Sequence, residues 1–447
     1  MAELLDIAHR VVAWANDGEH IEAYVVHERE TEARAYGGSV EAFTSAESQG
    51  IGVRVIVDGK QGFAYAGTLD DDALQETLRE ARDNAAFAEP DEFNGVADPD
   101  GVAAVELELY APGLDSFSTD DKVELAIELE RATLAADPRI CGIESAEYID
   151  SVYESAVATS TGIAVVERET GCYVSAYALA EADGETQTGF GFSIGRDPRT
   201  LDPGAAARDA AERATRLLGA SKPASERLTV VLDPWVTAQL LGIVGHTLTG
   251  EAVLKGRSMF AERMGDMVAH PSITLVDDPT NAAAFTATAI DGEGLATRRT
   301  PLIDNGVLTG FLHNSYSGRR ATATSTGSAV RAGFKSAPGV GAQALALVPG
   351  DRSQEELIAD IDNGFLVQGV AGLHSGVNPV SGDFSTGAEG LRIRNGTLAE
   401  PIREVTIAST VQRLLQDVIA IGDDLEWLPM SAAGVSLVVG DVTMSGA

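Results

Sequence analysis

Seven histidines in 447 residues make each one a candidate for metal or acid–base chemistry. His246 stands in QLLGIVGHTLTG, residues 239–250. A zinc-peptidase helix offers two imidazoles to one metal and a glutamate beside the first to activate water. No histidine or glutamate occupies the turn before His246. The stretch is therefore either an ordinary core helix or a metal site that has lost its first half. HERETE, beginning at His27, has a histidine–glutamate pair but no second histidine one turn on, and it lies in a run that reads as a strand. GFSIG at 191–195 spells a nucleophile elbow around Ser193, yet RDPRTLDPG separates it from the helix that an elbow requires at once. GIGVRVIVDG lacks the third glycine and the helix of a dinucleotide loop, and reads as a hairpin.

The glycine-rich stretch GLHSGVNPVSGDFSTGAEG, residues 372–390, places His374, Ser375, Asn378, Ser381, Asp383 and Ser385 among glycines. Such a composition suits close backbone approach to a ligand. It also holds serine, histidine and aspartate in one loop, although a triad needs spatial geometry that proximity in sequence does not supply. DGEGLATRRTPLIDNG carries Arg298 and Arg299, and YSGRRATATSTGSAVR carries Arg319 and Arg320 in an otherwise acidic chain. Guanidinium groups there suit a peptide carboxylate, while a structural loop and a solvated turn explain the same residues.

These residues need elements to position them. Apolar spacing predicts helices over residues 2–16, 71–87 and 119–136 and over PGAAARDAAERATRLLGA. Between them lie strand-like runs, among them IEAYVVHERE, RAYGGSVEAFTSAE and IAVVERETGCYVSAYALAEADG, with Asp58-Gly59 as a turn. Beyond the polar SKPASE come RLTVVLDP, the His246 helix, and many short extended pieces. Asn305-Gly306 and Asn395-Gly396 mark hairpins there. SQEELIADID and TIASTVQRLLQDVIAIG are the expected helices of that half. The expected fold is α+β: an N-terminal mixed α/β domain with helices on a sheet, residues 1–222, and a mainly antiparallel β domain, residues 223–447.

Composition narrows the function classes. With 32 basic and 68 acidic residues the formal charge is −36, which repels nucleic acid and anionic membranes. No run of about eighteen apolar residues occurs, and MAELLDIAHR lacks the basic and apolar parts of a signal peptide. A cytoplasmic protein is expected. Cys141 and Cys172 match neither a disulfide framework nor a thiolate metal motif.

In order along the chain, GIGVRVIVDGKQGFAYAG, VGHTLTGE, DGEGLATRRTPLIDNGVLTGFLHNSYSGRRA and GVNPVSGDFSTGAEGLRIRNGTLAEPIREVTIA resemble the TldD/PmbA family of peptidases. The resemblance spans essentially the whole sequence. In that family two related chains pair: a TldD-like subunit carries a His-Glu-three residues-His motif and a later cysteine ligand, and a PmbA (TldE)-like subunit lacks them. Laid over this sequence, the motif puts Leu241 at the first ligand, Gly242 at the glutamate and His246 at the second ligand. No cysteine follows Cys172. The resemblance thus implies no catalytic residue and no metal in this chain, zinc in a TldD-like partner, and peptide as substrate. His374, Ser375, Asn378, Ser381, Asp383, Ser385, Arg298 and Arg299 are the expected substrate-binding residues. A stand-alone non-metal hydrolase and a non-catalytic regulatory homodimer are the alternatives. His246 itself is expected to be a buried, hydrogen-bonded helix residue.

Overall fold

The computed structural model describes residues 1–447, the side chains of His374 and Ser375 excepted. The first half is built on one antiparallel sheet. Its strands lie in the order Lys60–Ala66, Ser39–Val57, His20–Tyr36, Ile140–Thr159, Ala164–Ala182 and Glu185–Gly195. Four helices cover one face: Ala2–Val12, Asp71–Phe87, Thr119–Ala136 and Pro203–Arg216. Alternation along the strands decides which residues they meet. Ile21, Ala23 and Val25 pack beneath Leu4, Val11, Leu74 and Leu78. Their neighbours Tyr24 and Val26 face the other way, toward Leu295 of the second half.

Small residues set how closely the last helix approaches. A Cβ on Gly189 or Gly191 would stand 2.2 or 2.0 Å from the backbone of Ala214 or Ala206. The run AAARDAAERA and these two glycines therefore permit a contact that larger side chains would push apart. Asp70 and Ser118 cap their helices through the backbone N–H groups of Ala73 and Asp121, which satisfies donors that the helix start leaves free.

The second half closes on itself. Its sheet runs Thr397–Thr410, Asp383–Arg394, Asn363–Ala371, Glu226–Leu232, Leu437–Ser445 and Val418–Ile421. Leu437–Ser445 pairs back onto Thr397–Thr410, so the sheet closes on itself as a barrel. Glu226–Leu232 lies parallel to Asn363–Ala371, and the other pairs are antiparallel. A smaller four-stranded sheet includes Leu275–Asp277 and Leu345–Leu347. The architecture is α+β. No helix among the described residues is long and apolar enough to cross a membrane.

Charge joins the open face of the first sheet to the second half. Arg54 Nη2 donates to Glu22 at 2.6 Å and to Glu293 at 3.4 Å, Arg331 pairs with Glu22, and Glu293 accepts from the Ser315 backbone at 2.8 Å. Glu22, Arg54 and Glu293 are all buried. Burial pushes the Glu22 carboxyl up, but Arg331 and Arg54 together hold it below the ordinary value.

Two elements differ from the sequence expectation. RAYGGSVEAFTSAE is two strands, because Gly37 and Gly38 take φ of 65° and 75° and form the two-residue turn that reverses the chain. TIASTVQRLLQDVIAIG is not one helix: a short helix, Val411–Gln416, separates two strands. Strand pairing on both sides of the barrel overrides the helical pattern there.

Candidate functional site

The helix that carries His246 spans Pro234–Thr247. Pro234 occupies its first turn and Asp233 accepts from the Trp235 backbone at 3.1 Å, a start that the sequence LDP encodes. Leu241 is buried in the main core of the second half. A Cβ on Gly242 would meet nothing within 4 Å, so the glutamate position is sterically open. On Gly245 it would stand 2.8 Å from Leu345, and the glycine lets the helix lie close against Leu345–Leu347.

His246 is exposed, which corrects the expectation of a buried residue. Its imidazole makes no hydrogen bond among the described residues. Positions five apart on a straight helix sit about 140° round the axis, and a motif of this spacing needs the helix to bend or end near Gly245; this helix continues to Thr247, with Leu241 on the side that faces the core. The first-ligand and second-ligand positions therefore diverge.

The residues present do not fit zinc. Leucine has no lone pair, glycine cannot act as a base, and one exposed imidazole is a weak ligand. Cys172 lies in the first half, buried, with Sγ donating to the Gly195 carbonyl at 3.3 Å. Burial, then Asp150 and Asp197, push its thiol up to about 12, so the thiolate needed for ligation is suppressed. Among the described residues no group of three or more His, Cys, Asp or Glu is arranged to hold a metal ion.

The glycine-rich segment forms the rim of an open groove of about 590 Å³, bordered by Asn378, Asp383, Ser385 and Ser409. Asn378 Oδ1 accepts from the backbone of Val380 and Ser381 at 2.9 and 3.2 Å, which fixes the turn. Ser381 Oγ donates to Asp383 at 2.7 Å, and Ser385 stands exposed at the start of the strand Asp383–Arg394. His374 and Ser375 lie outside the described residues as far as their side chains go. A Cβ on Gly376 would stand 2.2 Å from the Ser385 carbonyl, so this glycine lets the loop close onto the strand. Gly382 has φ +79°, and a Cβ there would strike Gln412; the fold alone requires it.

Loop and helix meet through apolar side chains. Leu373 and Phe384 pack against Val236 and Leu240 round a cavity of about 10 Å³, too small for a ligand. Leu241, Gly242 and His246 do not border the groove.

The four arginines lie elsewhere. Arg298 donates to Asp100 at 2.6 Å and to the Ala296 carbonyl at 3.0 Å. Arg299 is exposed, 4.0 Å from Asp278. Arg319 donates to the carbonyls of Phe93 and Gly95, both at 2.8 Å, and Arg320 donates to Tyr316 at 2.9 Å. Arg298 and Arg319 thus tie loops of the two halves together.

A second cleft, of about 640 Å³, opens between the first sheet and the loops of the second half. Glu167 and Glu169 project into it from one strand, beside Tyr153 and Arg196. Glu167 accepts from Thr288 Oγ1 at 2.8 Å and from the Ala289 backbone at 3.0 Å, and burial pushes its carboxyl up to about 7. Sequence reasoning missed this cleft. The one available signal was two glutamates, at spacing two, on the strand face that the helices leave free.

Family models for PmbA/TldA metallopeptidase domain 1, central domain and C-terminal domain match residues 21–85, 112–218 and 225–446. Metalloprotease PmbA of Escherichia coli O157:H7 is 28% identical over 392 residues, 87% of this chain and 84% of the relative. A metalloprotease of Methanothermobacter thermautotrophicus is 29% identical over 398 residues, 87% of this chain and 84% of the relative. The crystal structure of TldE from Thermococcus kodakarensis matches with a TM-score of 0.90 at 23% identity, covering 100% of both chains. This last likeness speaks for the fold.

Proposed function

The chain belongs to the PmbA/TldD family of metallopeptidases, and within it we propose a PmbA (TldE)-like subunit of a heteromeric, cytoplasmic peptidase. It leaves the metal chemistry to a TldD-like chain. One observation carries this proposal: on the helix Pro234–Thr247, leucine and glycine stand where the first ligand and the base belong, and the surviving imidazole of His246 faces away from Leu241. A scaffold kept in full without its ligands is suited to shaping a cavity and holding peptide.

The groove at Asn378, Asp383 and Ser385 is the proposed peptide grip. Its side chains offer hydroxyl, amide and carboxylate groups that suit an extended backbone, and the glycines beside them admit close approach. Arg298 and Arg299 sit outside this groove, so their part in binding is withdrawn from the proposal. A stand-alone serine hydrolase gains no support: Ser381 donates its hydroxyl proton to Asp383 at 2.7 Å, but among the described residues no histidine side chain bonds to either group to complete a triad.

Co-expression with a TldD-like chain from the same source, then size exclusion and metal analysis, tests the proposal. A stable pair that holds zinc is expected, with no stoichiometric zinc on this chain alone. Zinc retained by the isolated chain and lost in His246→Ala would overturn it.

A further inference from the structure

The open face of the first sheet carries more carboxylate than its neighbours balance. Glu28, Glu167 and Glu169 all border the cleft of about 640 Å³ between that face and the loops of the second half. Among the described residues two cations border it, Arg196 and Arg331, and both are engaged elsewhere. Arg196 donates to the carbonyls of Leu109, Thr170 and Phe285 at 3.3, 3.1 and 2.9 Å and reaches Glu169 only at 3.5 Å. Arg331 is held by Glu22 and by the carbonyls of Gly292 and Ser336. Glu28 is half-buried, with neither a hydrogen bond nor an ion pair among the described residues.

The geometry around Glu28 and Glu169 suits a cation. Both lie in register with Tyr153, one on each side of it, so the two carboxylates flank an aromatic ring. Their backbones stand two strand spacings apart, about 10 Å, a gap that one ammonium or guanidinium group fills between inward-leaning side chains. Burial, then Glu30, push the Glu28 carboxyl up, as expected of a desolvated acid beside its own kind. A cation over the ring of Tyr153 would meet both carboxylates and the π face.

The same face continues as an apolar floor. At spacing two beyond Glu169, the strand Ala164–Ala182 presents Gly171, Tyr173, Ser175 and Tyr177. Tyr173 lies in register with Ile149 and Ile194, all three half-buried, and Tyr177 is 45% accessible. Phe190 and Phe192 pack against Trp235 at centroid distances of 4.7 and 5.6 Å and border the floor. From Glu167 to Tyr177 it runs about 33 Å, the length of roughly ten extended residues.

We propose that this cleft and floor hold an extended basic peptide, with a lysine or arginine over Tyr153 between Glu28 and Glu169 and apolar side chains along Tyr173 and Tyr177. The proposal rests on the reading of this chain as a peptide-holding subunit and gives that peptide a chemical class. A second copy of the chain does not fit the charge, since each carries −36 and would set acid against acid. Nucleic acid is repelled for the same reason.

Fluorescence anisotropy on the full chain tests the proposal, using labelled peptides of about twelve residues at about 0.15 M salt. The probe repeats Lys-Phe-Gly-Ser; one control repeats Glu-Phe-Gly-Ser and the other Lys-Gly-Gly-Ser. The probe is expected to bind with a micromolar Kd and each control at least about tenfold more weakly. Glu28→Gln with Glu169→Gln should weaken the probe by about tenfold, and Tyr177→Ser by about fivefold. Glu124→Gln with Glu128→Gln, exposed on the helix Thr119–Ala136 of the opposite face, should change it by less than about twofold. Far-UV circular dichroism identical to the parent protein shows that each variant is folded. No binding of the probe at about 1 mM, equal binding of either control, or equal loss in the two double variants overturns the proposal. The assay needs neither zinc nor a TldD-like chain, so its failure leaves pairing untouched and a failure to pair leaves its outcome unchanged.

Discussion

Asp277→Asn isolates one buried carboxyl whose protonation the fold controls. Asp277 is fully buried; its Oδ1 accepts from the backbone of Gln343 and Ala344 at 2.9 and 2.7 Å, and its Oδ2 has no hydrogen-bond partner. Burial pushes the carboxyl up from the ordinary 3.8 to about 6, the two N–H groups opposing it in part. The folded state therefore holds the proton more tightly than the unfolded state, and stability falls as pH rises through this window. At ~1.4 kcal/mol per pH unit the full cost is roughly 3 kcal/mol above pH 7, of which about 1 kcal/mol is already present at pH 4.5. The amide of the variant does not titrate and keeps a carbonyl for the two N–H groups. Its NH₂ inherits the empty surroundings of Oδ2, a pH-independent cost of about 1–3 kcal/mol. Denaturant unfolding of both proteins at pH 4.5 and pH 8 cancels that constant, together with the self-repulsion of the −36 chain. The variant should gain about 2 kcal/mol on the parent protein between the two pH values. A gap between the two proteins that stays the same, within about 0.5 kcal/mol, refutes the assignment of a buried, ionising Asp277.

Three further outcomes follow from other sites. Rebuilding the motif by Leu241→His with Gly242→Glu should not create tight zinc binding, because His246 faces away from position 241; metal analysis after dialysis checks it, and one retained equivalent would refute the divergent geometry. Arg54→Met leaves Glu22 and Glu293 buried with fewer partners and should cost about 3–5 kcal/mol, read as a lowered thermal midpoint; a change below about 1 kcal/mol would mean that Arg331 alone suffices to hold the cluster. Ser385→Trp fills the groove from an exposed position, so in a reconstituted pair it should lower peptide cleavage by about tenfold or more while assembly persists. Normal cleavage would remove the groove from substrate handling.

Helices and tight turns were legible in the sequence because their signals are local. Asp70 and Ser118 announce the helices Asp71–Phe87 and Thr119–Ala136, and Asn305-Gly306 and Asn395-Gly396 adopt the positive φ that their hairpins need. Gly37-Gly38 carried the same signal and was passed over inside a longer alternating run. The helical pattern of TIASTVQRLLQDVIAIG failed for a non-local reason: both ends are drawn into the barrel by strands distant in sequence. Site residues divide in the same way. Asn378, Asp383 and Ser385 are brought together because they are neighbours in the chain. Arg298 bonds to Asp100 and Glu167 bonds to Thr288 across the two halves, contacts that no periodicity encodes.

Under the proposed reading, the helix Pro234–Thr247 is one in which a lost ligand strengthens the scaffold. An imidazole at position 241 would need a metal or a hydrogen-bond partner to offset its burial. Leucine at that position is instead among the largest fully buried side chains of the molecule, and truncating such a leucine costs about 2–5 kcal/mol. Leucine at this position therefore adds apolar packing at the centre of the second half, where Leu241 joins Leu240 and Val244 in one cluster. Gly242 gains nothing from the same exchange, since the space around it stays open. On the proposed reading one motif position has been filled by the core and its neighbour left vacant, a pattern expected when the barrel and its groove are retained for binding and the metal is not.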